Sequence, residues 1–253
     1  MKLETRKVNL LPVHIFETRE EMGIDAAADA AARINAVIAK KGECNVVFAA
    51  APSQSDMLEN LLKADVDWSK VRAFHQDEYV GISADEPAGF GNWLNRYIFH
   101  KVPFMECHYL LCKAEEAEAK CDEYANLLKK YPIDLIFLGF GENGHMAFND
   151  PAVADFDDPK MVKIVDLDDV CRQQQVNDGC FPTLNDVPKQ AMTLTLSFIM
   201  SVPEAVCVVP NNRKANAVYG ALCGEVTTEC PASILRNHPN AVLYLDKDSA
   251  SKI

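Results

Sequence analysis

The feature that most constrains this chain is a repeated alternation of short, apolar, β-rich runs with longer segments of helical period. Glu20–Lys41 is rich in Ala and sets Ile24, Ala27, Ala28, Ala31, Ile34, Val37 and Ile38 at helical spacing. Asn45–Ala51 then reads as a buried strand, Ser55–Lys63 as a helix, Val71–His75 as a strand and Gly89–Phe99 as a helix. His108–Leu111 reads as a short strand, Glu115–Lys130 as a charged helix, and Ile133–Gly139 as the clearest strand of all. Further strands are expected at Met161–Val165, Met192–Leu196, Ala205–Val209 and Ala241–Leu245, with helices at Arg213–Cys223 and Ser233–Arg236. Strands separated by helices of crossover length imply an α/β fold, a Rossmann-like three-layer arrangement with a mostly parallel sheet covered on both faces. One domain over residues 1–253 is expected, with a lid over about 153–189 in which the polar segment Asp168–Pro188 reads as a mobile flap.

Composition narrows the function classes. At 253 residues with 49 % hydrophobic and 25 % charged residues, the chain has the balance of a globular protein that buries a sizeable core. A formal net charge of −12 argues against a nucleic-acid or anionic-membrane partner, since both need a basic surface. Met1–Val8 carries charges throughout and does not read as a signal peptide. The longest apolar runs, such as Val46–Pro52 and Ile133–Phe140, are too short to cross a bilayer. The 9 cysteines include no Cys-x-x-Cys pair and the 6 histidines form no ligand cluster, so free thiols in a reducing cytoplasm are expected.

Four polar segments follow expected strands: Pro52–Asp56, Gln76–Gly81, Gly141–Asp150 and Asn211–Lys214. In open parallel sheets ligands bind beyond the carboxyl ends of the strands, so these segments can converge on one site. Gly139-Phe-Gly-Glu-Asn-Gly-His145 leaves its strand through glycines that let backbone approach a ligand, and delivers an imidazole suited to proton transfer near neutral pH. A carboxylate on the other ring nitrogen would orient it, and Asp150 stands five residues on; the same pattern also fits a turn with a satisfied histidine. In His75-Gln-Asp77-Glu-Tyr-Val-Gly81, strand alternation sends one of Asp77 and Glu78 into a cleft and the other away, although a solvated turn or an N-cap is the commoner meaning of this pattern taken alone. In Ala49–Asp56, Ser55 or Asp56 caps a helix whose amides suit an anion. In Asn211–Lys214, two cations oppose the helix dipole, a penalty that a bound phosphate would relieve unless the pair is simply solvated.

Taken together, these segments resemble the glucosamine-6-phosphate deaminase/isomerase family, which shares a fold group with the 6-phosphogluconolactonases. The resemblance runs from about Asn45 to the C-terminus and is carried by His75–Gly81, Gly139–Pro151 and Val187–Leu194. Gly144–Pro151 follows the deaminase form rather than the Gly-His-Thr-Ala-Ser-Leu-Phe-Pro form of the lactonases. The resemblance implies a hexosamine 6-phosphate substrate and a reaction without metal or cofactor: ring opening, proton removal at C2 to an enediol-type intermediate, and release of ammonia and fructose 6-phosphate. It implies Asp77 as the enolisation base, His145 for ring opening with support from Asn143 and Asp150, and a phosphate held by Ser53, Gln54, Ser55 and Lys214. Arg172 is the candidate for a second phosphate-binding arginine. The chain departs from the family at Pro52–Ser55, where a glycine-rich Thr-Gly-Gly-Thr-Pro type of loop is usual, and at Asp150, where Glu is usual. The galactosamine epimer, sugar-phosphate isomerisation, lactone hydrolysis and a catalytically silent sensor are the alternative readings. Assembly into a homo-oligomer is left open.

Overall fold

The computed structural model describes residues 1–253. Strands β1 (Lys2–Val8) and β2 (Leu11–Phe16) form an N-terminal hairpin, followed by helix α1 (Arg19–Lys41) and strand β3 (Cys44–Phe48). Helix α2 (Ser55–Leu61), β4 (Val71–His75), β5 (Asp77–Tyr79), α3 (Phe90–Leu94), β6 (Glu106–Cys107), α4 (Ala117–Lys130) and β7 (Leu135–Leu138) come next. The last third holds β8 (Val162–Asp166), α5 (Asp169–Asn177), β9 (Gln190–Leu194), α6 (Leu196–Ser201), β10 (Glu204–Val209), α7 (Ala215–Cys223) and β11 (Ala241–Asp246).

The main sheet has the order β1-β2-β11-β10-β7-β3-β4-β6 and is parallel except for the β1/β2 hairpin. Its central strands are apolar on both faces because helices cover both. Val46, Phe48, Leu135 and Phe137 face the layer of α1, α2 and α3, whereas Val47, Ile136 and Leu138 face α4, α6 and α7. That explains why these strands read as continuous apolar runs rather than as alternating ones.

The expected α/β architecture is therefore present, with four differences. The hairpin β1/β2 escaped the sequence reading, although Asn9 at φ 53° marks its turn, because its outer strand is charged and exposed. Strands β8 and β9 do not join the parallel sheet. With β5 they form a separate three-stranded antiparallel sheet in which Asp77 pairs with Thr193 and Ile164 with Met192. An intervening helix tells nothing about which sheet its flanking strands enter. At His108–Leu111 no strand forms, since the Leu110 amide donates to Nε2 of His75 (3.0 Å) instead of to a ladder partner. The segment Asp168–Pro188, expected as a flap of weak period, contains helix α5, whose N-cap Asp168 accepts the Cys171 amide at 2.6 Å.

Helix α1 forms as expected but with a shifted buried face. Ile24 and Ala28 are exposed, and Met22, Gly23, Ala26, Ala27, Ala30, Ala31 and Ile34 are buried. A run of alanines cannot fix the phase of a helix; the close approach of α2 does. A Cβ on Gly23 would lie 2.7 Å from Cβ of Asp56 and 2.9 Å from its carbonyl carbon. Gly23→Val is therefore expected to lower the unfolding free energy by about 1–3 kcal/mol through overpacking. Ala28→Val, on the exposed face, should cost no more than the ~0.7 kcal/mol of helix propensity. Urea unfolding of the two variants measures the difference.

Candidate active site

Strand order creates the site. From β3 the chain proceeds to β4 and β6 on one side, and from β7 to β10 and β11 on the other. The loops leaving the adjacent strands β3 and β7 thus diverge at their carboxyl ends, the topological switch point where such sheets bind ligands. A cavity of about 370 Å³ opens there. It is lined by the segments 49–54 and 139–141, by Pro210, Asn211, Arg213 and Lys214, by Gln76 and Asp77, and by Phe90 and Trp93 as an apolar wall.

Asp77 stands where the chain passes from the main sheet to the small one. Gln76 is the joint: its amide donates to the Phe48 carbonyl (3.3 Å), its carbonyl accepts the Leu194 amide (2.9 Å), and its side chain donates to the Phe137 carbonyl. The Asp77 backbone is held from behind by His75. The His75 Nε2 accepts the Leu110 amide, so the proton sits on Nδ1, which donates to the Asp77 carbonyl at 2.9 Å. Burial lowers the His75 pKa to about 4, so this strut is a neutral imidazole. As strand alternation requires, the two carboxylates part company. Glu78 turns away and accepts the amides of Tyr79, Phe90 and Gly91 at 3.0, 3.0 and 2.9 Å. Asp77, only 7 % exposed, lines the cavity. Burial, with the neighbouring Glu78 charge, raises its pKa well above the usual carboxylate value.

The β7 loop delivers His145. Its backbone amide donates to Oδ1 of Asn143 (3.1 Å), and Nδ2 of Asn143 donates to Oδ1 of Asp150 (2.9 Å). That carboxylate oxygen also lies 2.9 Å from Nδ1 of His145. Asn143 and Asp150 are outside the cavity wall; they brace the imidazole, which does line it. Burial pushes the Asp150 pKa up, but the adjacent His145 and Asn143 outweigh burial and leave it lowered. The ring lies against Gly141, where a Cβ would meet Cε1 of His145 at 2.1 Å, so no side chain fits under it.

At the other end of the cavity, β10 leads into α7 through Asn211, a non-glycine residue at φ 89°. Asp246 holds this strained turn by accepting the Asn211 amide at 2.9 and 3.1 Å. The turn sets Lys214 into the wall, 8 % exposed and without an ion-pair or hydrogen-bond partner. Burial lowers its pKa, with Asp178 and Glu142 opposing the shift. A buried ammonium without an ion-pair partner carries a desolvation cost that an anion in the cavity would offset.

The matching family model covers residues 17–244 and is that of the glucosamine-6-phosphate isomerases/6-phosphogluconolactonase. The chain belongs to this family. It is 36 % identical over 211 residues to a glucosamine-6-phosphate deaminase of Listeria innocua, covering 83 % of this chain and 88 % of the relative. A deaminase of Streptococcus sanguinis is 31 % identical over the same shares. Among solved structures, a monomeric glucosamine-6-phosphate deaminase superposes with a TM-score of 0.88 at 26 % identity, covering 95 % of this chain and 99 % of that one. A 6-phosphogluconolactonase of Trypanosoma brucei reaches a TM-score of 0.76 at 17 % identity, covering 99 % and 100 %, a likeness of fold alone.

The residues expected from the deaminase/isomerase family divide into three groups, the first being Asn143 and Asp150, which brace His145 from outside the cavity wall. Asp77, His145, Lys214 and Ser53 face the common cavity. Three others are turned to contacts within the protein. Ser55 is outside the cavity wall; its hydroxyl donates to the Pro52 carbonyl (2.9 Å) and accepts from Arg19 (2.9 Å). Gln54 touches the cavity, yet its Nε2 is within 3.3 Å of the carbonyls of Leu138 and Val208 and ties together the ends of β7 and β10. The Arg172 guanidinium is turned into the protein, donating to the carbonyls of Leu184 and Val187 at 2.6 and 3.1 Å.

Sequence reasoning missed Arg19, Trp93 and Arg96 in the cavity wall. It noted Arg213 in the α7 turn without assigning it to the site; here its guanidinium binds Asp178 at 2.6 Å and lies 3.5 Å from Glu142. Arg19 clamps the β3 loop through Asp56 (2.6 Å) and Ser55. No local motif distinguishes these residues; only the tertiary packing of α1, α3 and the helical turn Asn95–Phe99 brings them in. The cavity geometry also carries a stability consequence. The raised Asp77 pKa means that the native state binds this proton more tightly than the unfolded chain does, so stability is lost as pH rises through the window above about 4, the unfolded carboxylate value. No protein group hydrogen-bonds to the Asp77 carboxyl, so Asp77→Asn sacrifices no partner. It is expected to raise the thermal midpoint at pH 7, with the gain vanishing as pH approaches about 4; calorimetry across this range measures it.

Proposed function

We propose that this chain is a glucosamine-6-phosphate deaminase, converting glucosamine 6-phosphate and water to fructose 6-phosphate and ammonia. One observation carries the reading: a cavity of sugar size holds a buried carboxylate and a buried ammonium at different parts of its wall, with a carboxylate-braced imidazole beside them. The 6-phosphate fits the Lys214 end. There Ser53, whose oxygen accepts from Gln54 Nε2 at 3.3 Å, keeps its own proton free to donate. His145, with Asp150 at Nδ1, presents its other nitrogen to the sugar and moves the proton between the anomeric hydroxyl and the ring oxygen, which opens the ring. Asp77 then takes the C2 proton of the open aldehyde, leaving an enolamine. Reprotonation at C1 gives the imine of the ketose; water adds to C2 and ammonia departs.

The two charges suit this substrate. The protonated amine of the hexosamine enters beside Asp77 and compensates its burial, so substrate itself favours the ionised base. A lactone brings no such cation. The cavity segment Gln174–Cys180 at the end of α5 would close over the sugar as the lid and shield the enolamine from water. The nine free thiols suit a reducing cytoplasm, and no helix is long and apolar enough to cross a membrane.

Ammonia release from a panel of hexosamine 6-phosphates tests the reading and sets the epimer preference; turnover without ammonia would identify an isomerase or lactonase instead. Positioned proton transfer contributes about 10²–10⁴-fold to rate, so Asp77→Asn and His145→Ala should each lose at least that range in kcat. Lys214→Met should instead raise KM by about 10–100-fold, the worth of a hydrogen bond between charged partners. With unphosphorylated glucosamine as the substrate, the same variant should show no such increase.

A further inference from the structure

Behind the imidazole the structure assembles three donor atoms that the sequence keeps far apart. Nδ1 of His145, a carboxylate oxygen of Asp150 and Sγ of Cys171 all lie within 4.8 Å of one another. Cys171 comes from the first turn of α5, 21 residues beyond Asp150, and lies outside the cavity wall. Oδ2 of Asp150 is fully buried and makes no hydrogen bond, and buried Nδ1 of His145 has only Oδ1 of the same carboxylate beside it, at 2.9 Å. Asp150 is 1 % exposed. One imidazole nitrogen, one carboxylate and one sulfur form the mixed set that borderline and soft divalent ions take, and that hard magnesium does not.

We propose that His145, Asp150 and Cys171 form an inhibitory site for zinc-like divalent ions. The inference rests on the proposed role of His145. On binding, the Cys171 S–H bond breaks, its proton goes to solvent and a metal–sulfur bond forms. The thiolate and the Asp150 carboxylate then balance the two charges of the ion. The Nδ1–H bond that faces Asp150 in the metal-free enzyme breaks, the freed Nδ1 lone pair binds the metal, and the single proton of the neutral imidazole moves to Nε2. The nitrogen that faces the sugar becomes a donor and can no longer accept the proton of the anomeric hydroxyl. Neither Lys214 nor Asp77 is touched. Inhibition therefore falls on kcat and leaves KM unchanged, the mark of an interaction lost after binding.

The test uses the whole chain and three ions. Zn²⁺ should lower kcat at constant KM and a chelator should restore it, whereas Mg²⁺ should have no effect. Co²⁺ should give a thiolate-to-cobalt charge-transfer band at one equivalent. Cys171→Ser should keep the basal kcat, lose the band and need at least about tenfold more Zn²⁺ for half inhibition, the smallest loss expected for a metal site stripped of a supporting group. His145→Ala, read by the cobalt band alone, should also lose it. Equal zinc sensitivity in wild type and Cys171→Ser, or no band in the wild-type protein, overturns the proposal. Because the band needs no turnover, a chain that binds Co²⁺ in this way but releases no ammonia would refute the proposed reaction and leave the metal site standing.

Discussion

Two buried charges of opposite sign, Asp77 and Lys214, face one cavity without neutralising each other, and much of the surrounding structure exists to maintain that separation. Were they within reach, they would pair, and the cavity would lose both its free carboxylate and its free cation. Asp77 is instead fixed at a junction between two sheets, and Lys214 on the turn leading into α7. Neither charge finds a protein partner, and burial shifts both pKa values toward the neutral form. Native stability is given up to hold such groups, and strain at functional sites persists only where the surroundings over-determine it.

The surroundings do over-determine it. At Asp77 the neutral His75 and the Gln76 side chain fix the backbone from two directions. On the adjacent residue, three amides absorb the Glu78 charge, so the second carboxylate of the pair does not compete for the cavity. At Lys214 the positive φ of Asn211 is held by the Asp246 carboxylate, which also accepts the Ser249 amide at 2.8 Å. Each charge is carried on backbone that cannot relax away from it.

How much of this was legible in sequence follows from the range of each determinant. The parallel centre was legible because apolar runs and crossover helices are local patterns, and the loops at Gly141–His145 and Asp77 announced themselves by residues whose chemistry is unusual at a strand end. The antiparallel sheet of β5, β9 and β8 was not, because strand partnership is a tertiary choice that periodicity does not encode. The phase of α1 was lost among interchangeable alanines and is set by contact with Asp56. The family resemblance made Arg172 a candidate anion ligand, yet its guanidinium serves the carbonyls of Leu184 and Val187. An arginine near a flap cannot be read as phosphate-binding until the direction of its side chain is known.

The departure at Pro52–Ser55 takes on a physical meaning in this light. A glycine-rich loop brings its backbone close to a phosphate by virtue of conformational freedom. This loop is instead pinned from two sides. Gln54 is buried against the ends of β7 and β10, and Arg19 grips Ser55 and Asp56. Pinning removes much of the freedom that would let the loop wrap an anion, and leaves Ser53 as its hydroxyl facing the cavity. On the proposed function the anion-binding duty would then fall to Lys214, which lines the cavity buried and unpaired. A site whose loop is rigid in advance gives up adaptability but loses less conformational entropy on binding, so one well-placed cation can do more than its charge alone suggests.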